Sequence, residues 1–136
     1  MELLVAYSNM KAIDVDMEVK MVQLTMQISN DLAARVKPIR EWLPIVLELS
    51  LVGFKTSATE TATEIIEFLS TDPSPDMVLA YHVSERAQTR LQRLLALNEA
   101  GILSEPEQRE LDELEKIEHI MIMLKAQIAE QVQLSR

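Results

Sequence analysis

The chain contains no cysteine in 136 residues. Disulfides and thiolate metal sites are therefore excluded, and the composition suits a reducing cytoplasm. Glycine occurs only twice, too rarely for the many tight turns of an all-β fold. With one Trp, two Tyr and two Phe, any core must be built from aliphatic residues and the eight methionines. No apolar run approaches the ~20 residues of a membrane helix. The opening MELLVAYSNM lacks the basic segment of a signal peptide. A cytoplasmic protein without a membrane partner is expected. Basic charge is also scarce: 13 Lys and Arg stand against 22 Asp and Glu, a net charge of −9.

That charge is unevenly spread. Residues 17–56 carry five basic and four acidic groups, a net of +1, whereas residues 57–136 carry seven basic and fifteen acidic groups, a net of −8. An acidic surface repels phosphate backbones. The acidic half points to a basic protein partner or to solubility alone, and the near-neutral segment is the part able to approach DNA. No nucleophile–base constellation, phosphate-cradling glycine loop or supported carboxylate pair is present, so no enzyme, cofactor or small-molecule substrate is expected. His82 precedes a helix cap, and His119 follows Glu115 by one helical turn. Neither converges with enough ligands for a metal site.

The residues present read mainly as helix. The exception is MVQLTMQIS, residues 21–29, where Val22, Leu24, Met26 and Ile28 alternate with Gln23, Thr25 and Gln27. This is strand periodicity. Residues 1–19 read as an ambiguous arm, poorly ordered or peripheral, in which ELLVAY could be a short strand and KAIDVDMEVK alternates weakly. After the strand, Ser29 or Asn30 caps a helix carrying Leu32, Val36, Ile39 and Leu43, kinked at Pro38. Pro44 opens a second helix, apolar almost all round, that ends near Gly53.

KTSATET reads as a linker, followed by helices over ATEIIEFLS and PDMVLAY. Ser84 caps the next helix, Gly101 supplies its left-handed end, and Ser104 with Glu107 forms a capping box. The last helix, roughly 105–131, spaces Leu114, Ile117, Met121, Leu124 and Ile128 like a coiled-coil seam, which Ile120, Ile122 and Met123 widen. Ile117, Ile120, Met121 and Leu124 are the candidate partner-binding residues, because so wide an apolar face needs cover.

A lone strand cannot satisfy its own backbone groups. Two copies pairing their strands antiparallel would, with helices from both wrapping a shared core of Val22, Leu24, Met26 and Ile28. The stretch VQLTMQISNDLAARVKPI resembles the ribbon-helix-helix family of DNA-binding proteins, which includes the Arc and MetJ repressors and many bacterial antitoxins. The resemblance spans about residues 20–54. It implies a homodimer whose outward strand residues, here Gln23, Thr25 and Gln27, read operator bases. The chain departs from the family pattern at EWLP, residues 41–44, where the second helix lacks a small polar cap.

The expected architecture is mainly α: an arm at 1–19, a ribbon-helix-helix dimerisation module at 20–56, and an acidic helical extension at 57–136 ending in a long helix. The expected function is antitoxin-like regulation, with dimerisation, operator DNA and a basic, toxin-like protein partner. The alternative is a structural or adaptor helical dimer with no DNA role.

Overall fold

A computed structural model describes residues 2–10 and 19–134, with side chains from Met21 onward. The chain is mainly α, preceded by a two-stranded hairpin. Strand β1 (Glu2–Met10) pairs antiparallel with β2 (Val19–Gln27), in a register that sets Glu2 opposite Gln27 and Met10 opposite Val19. The expectation that β2 has no partner strand in its own chain is thereby corrected: ELLVAYSNM supplies one. ELLVAY has some strand character, but its pattern does not name β2 as the partner, because the pairing is made through the backbone. The remainder of the predicted arm, Met1 and residues 11–18, lies outside the described residues.

Ser29 caps α1 (Asn30–Val36), accepting a hydrogen bond from the Leu32 N–H at 3.1 Å. The α-helical hydrogen bonding ends before Pro38, which has no N–H to donate and crowds the preceding turn. A 3₁₀ segment, Lys37–Trp42, takes over. Helix α2 (Leu43–Leu51) begins with Pro44 in its first turn, as expected, and Gly53 follows it with φ +68°. Strand β1 runs beside α2.

Helix α3 (Ala58–Leu69) starts earlier than its apolar pattern suggests, so half of the expected linker KTSATET is helical. Helix α4 (Pro75–Leu79) is capped by Ser74, and α5 (Glu85–Glu99) by Ser84. Gly101, with φ +72°, ends α5. The capping box opens α6 (Glu105–Leu134): the Ser104 N–H donates to Glu107 Oε1 at 3.0 Å and the Glu107 N–H to Ser104 Oγ at 3.3 Å. At about 1.5 Å per residue α6 is roughly 45 Å long. It is the spine of the body, with α2, α3, α4 and α5 all packed on it.

The core lies between this spine and the shorter helices. Leu49 of α2, Ile65 and Leu69 of α3, Val78 of α4 and Leu94 of α5 meet Leu111, Leu114, Ile117, Ile120, Leu124 and Ile128 of α6. It is aliphatic, as the scarcity of aromatics requires. Trp42 is buried at the entry to α2 and donates its indole N–H to the Pro73 carbonyl at 3.1 Å, joining the 3₁₀ segment to the α3–α4 turn. Phe68 and Tyr81 stack with ring centroids 4.2 Å apart.

Candidate interaction surfaces

The body is clamped by carboxylates that reach across the sequence. Glu110, buried on α6, accepts from Arg90 Nε at 2.6 Å through Oε2 and from Arg90 Nη2 at 3.1 Å through Oε1. Ser57 Oγ donates to the same Oε1 at 2.7 Å. This two-pronged guanidinium contact, chiefly, holds the Glu110 carboxyl below its ordinary range against the opposing effect of burial, and Ser57 adds to it.

One turn along α6, Glu113 accepts from the backbone N–H groups of Lys55 and Thr56 and from Thr56 Oγ1, the last at 2.7 Å. Burial alone would raise the Glu113 carboxyl, but these donors together outweigh it and lower it. The Thr56 hydroxyl in turn accepts from the Ala58 N–H at 3.2 Å. Local bonds to Thr56 and Ser57 satisfy the first turn of α3, and Glu113 and Glu110 hold those two residues in place, so α3 starts inside the expected linker. Glu64 of α3 makes a comparable contact with Ser84, accepting from its N–H at 3.1 Å and its Oγ at 2.7 Å. Nothing in the sequence separates these three carboxylates from their solvated neighbours, because their partners lie 20 to 58 residues away.

The predicted partner-binding seam is part of the core. Ile117, Ile120 and Leu124 are buried against the chain's own helices, and Met121 packs on the same cluster. The reading of these residues as a partner surface is corrected: spacings of three and four on α6 mark the stripe that α2–α5 cover. Ile122, at the edge of that stripe, stays 56% exposed.

The hairpin contrasts with the body. Val22, Leu24 and Met26 retain 60%, 49% and 36% of their surface, and Ile28 is half-buried. Gln23, Thr25 and Gln27 are exposed on the alternate positions. Neither set is covered by the helices of its own chain. Helix α1 has no buried residue, and its Leu32 is 40% exposed. From Met21 to Gln27 β2 is exposed on both faces, and a two-stranded ribbon by itself has little independent stability. β2 is bonded to β1 along one edge and, among the described strands, has no neighbour along the other.

Among the described residues no cluster of His, Asp and Glu is placed to hold a metal ion, and no helix is long and apolar enough to cross a membrane. His82 and His119 are both exposed. No protein-family model matches the chain, nor does any curated protein or solved structure, so its functional reading rests on these surfaces alone.

Proposed function

We propose that the chain is a homodimeric, antitoxin-like regulator. Its hairpin is the assembly module, and its acidic helical body carries the surface for a basic protein partner. One observation carries the reading: Val22, Leu24, Met26 and the whole of α1 find no core within a single chain. A second copy, pairing along the free edge of β2, supplies one. The four strands would then run β1–β2–β2–β1, a ribbon-helix-helix dimer widened by an outer strand on each side. This segment is also nearly neutral, so two copies meet there without the repulsion that the −8 half would impose.

Magnitudes decide what kind of dimer this is. Full burial of Val, Leu or Met is worth about 1.5–3 kcal/mol each. Six such side chains, starting roughly half exposed, give about 5–9 kcal/mol. Association costs about 4–15 kcal/mol. Edge hydrogen bonds therefore tip the balance, and the dimer dissociates on dilution.

In this dimer Gln23, Thr25 and Gln27 occupy the face opposite the shared core, where Gln is suited to adenine. The basic partner meets exposed carboxylates of α6 such as Asp112, Glu115 and Glu118, in place of the buried Ile117 seam.

The test is light scattering on the full chain and on Leu24→Asp, followed by binding of each to DNA from upstream of its own coding sequence over a salt series. A concentration-dependent dimer, converted to monomer by Leu24→Asp with helicity kept, supports assembly. Loss of DNA binding in Gln23→Ala/Gln27→Ala, with the dimer intact, supports operator reading. A dimer indifferent to DNA leaves the adaptor reading, and a monomeric full chain removes both.

A further inference from the structure

Helices α3, α5 and α6 do not close completely over the core. They leave a cleft of about 340 Å³, with walls from Ile65, Val83, Leu91, Ile117 and Met121. Its size is that of a small-ligand site, and polar groups of Thr61, Tyr81, His82, Gln88, Glu118 and Lys125 stand among its apolar walls. Lys125 stands at one end. Its ammonium is partly buried and donates one hydrogen bond, to the Tyr81 carbonyl at 2.7 Å. Among the described residues no carboxylate lies within ion-pair distance of it. An ammonium has three donors, so two remain for an anion. Glu118, the carboxylate on the cleft lining, is seven residues back along α6 and thus about 10 Å away along the helix axis. It is solvent-exposed. The α6 wall of the cleft therefore carries a cation at its C-terminal end and a solvent-exposed carboxylate about two turns back, near its middle.

We propose that this cleft binds a soluble amphiphile with a single carboxylate and an unbranched hydrocarbon tail, about the size of decanoate. The carboxylate pairs with Lys125 and the tail lies over Ile117 and Met121. The occupant is the free, monomeric molecule and not a bilayer, because the surrounding body is too acidic for an anionic membrane. The inference is independent of dimerisation, since every lining residue belongs to the helical body.

The test is calorimetric titration of the full chain with decanoate, decanol and decylamine, each below its micelle-forming concentration. Saturable one-to-one binding of decanoate, preferred over decanol and decylamine, is expected. Lys125→Gln keeps a donor for the Tyr81 carbonyl and removes the charge. It should weaken decanoate about tenfold while leaving decanol unchanged. Leu91→Trp should fill the cleft and abolish both. Methionine-methyl NMR reads the same site without a variant: the Met121 signal should shift with decanoate and Met26 on β2 should not. Equal binding of decanoate by Lys125→Gln, or tighter binding of decylamine, would overturn the assignment. So would failure of decanoate to bind, which would leave the cleft to an apolar helix of a partner chain.

Discussion

Arg90 Nε lies 2.6 Å from Glu110 Oε2, joining α5 to the buried start of α6. Glu110 is 9% exposed at its side chain and Arg90 43%, so water screens one partner only. Removing the arginine strands a buried carboxylate, whereas removing both leaves a gap that apolar atoms can fill. Arg90→Ala is expected to cost about 2 kcal/mol in urea unfolding. Arg90→Met/Glu110→Leu is expected to recover most of that loss.

Acid should unfold the protein in a defined window. The Glu107 carboxyl is lowered chiefly by the Ser104 hydroxyl and N–H, Glu110 by Arg90, and Glu113 by its donors at Lys55 and Thr56. A carboxylate lowered on folding stabilises the native state fully above its ordinary value of 4.5, and loses that contribution as pH falls through the folded value. Glu48 acts in the opposite sense: burial raises it, with His119 partly offsetting, so its ionisation as pH rises is destabilising. Unfolding free energy measured between pH 3 and 6 should therefore fall steeply below about 4.5, and Glu110→Gln should flatten the slope.

Glu113 holds Thr56, whose hydroxyl caps the Ala58 N–H at the start of α3. Glu113→Ala is expected to cost about 1 kcal/mol, the usual value of a helix cap. Amide exchange should quicken selectively at Lys55, Thr56 and Ala58. Uniform acceleration across α3, α5 and α6 would mean that the contact is a global brace and not a cap.

Two isoleucines on α6 separate core from surface. Ile117→Ala should cost about 2–5 kcal/mol as a buried deletion, and Ile117→Asp should unfold the body. Ile122→Asp, at a largely exposed position on the cleft edge, should change stability by no more than about 0.5 kcal/mol. Thermal melts of the three variants are sufficient.

Much of the fold was legible residue by residue. Ser29, Ser84 and Ser104 with Glu107 mark their helix starts, Gly101 its helix end, and Pro38 a break in the first helix, because each acts within one turn of chain; that the helix runs on as 3₁₀ after Val36 was not legible. Strand β2 was legible from Val22 to Gln27. Strand β1 was legible only as a possible short strand at ELLVAY, since its pairing depends on partners 9 to 25 residues away. The seam on α6 was legible as apolar, but periodicity cannot say whose side chains cover it: the chain's own α2–α5 do. Glu110 and Glu113 looked like any solvated acid, because their roles come from Arg90, Ser57 and Thr56, which only the folded chain brings near.

The most direct test of the proposed assembly uses the absence of cysteine. Single cysteines placed in turn at Gln23, Thr25 and Gln27 carry the only labels in the chain, and spin–spin distances between two copies can be measured for each. Pairing of β2 with its copy across a two-fold axis predicts short distances at one position, lengthening by about 7 Å for each residue of offset along the strand. No measurable distance between copies, or one that does not vary along β2, would contradict a dimer built on this edge.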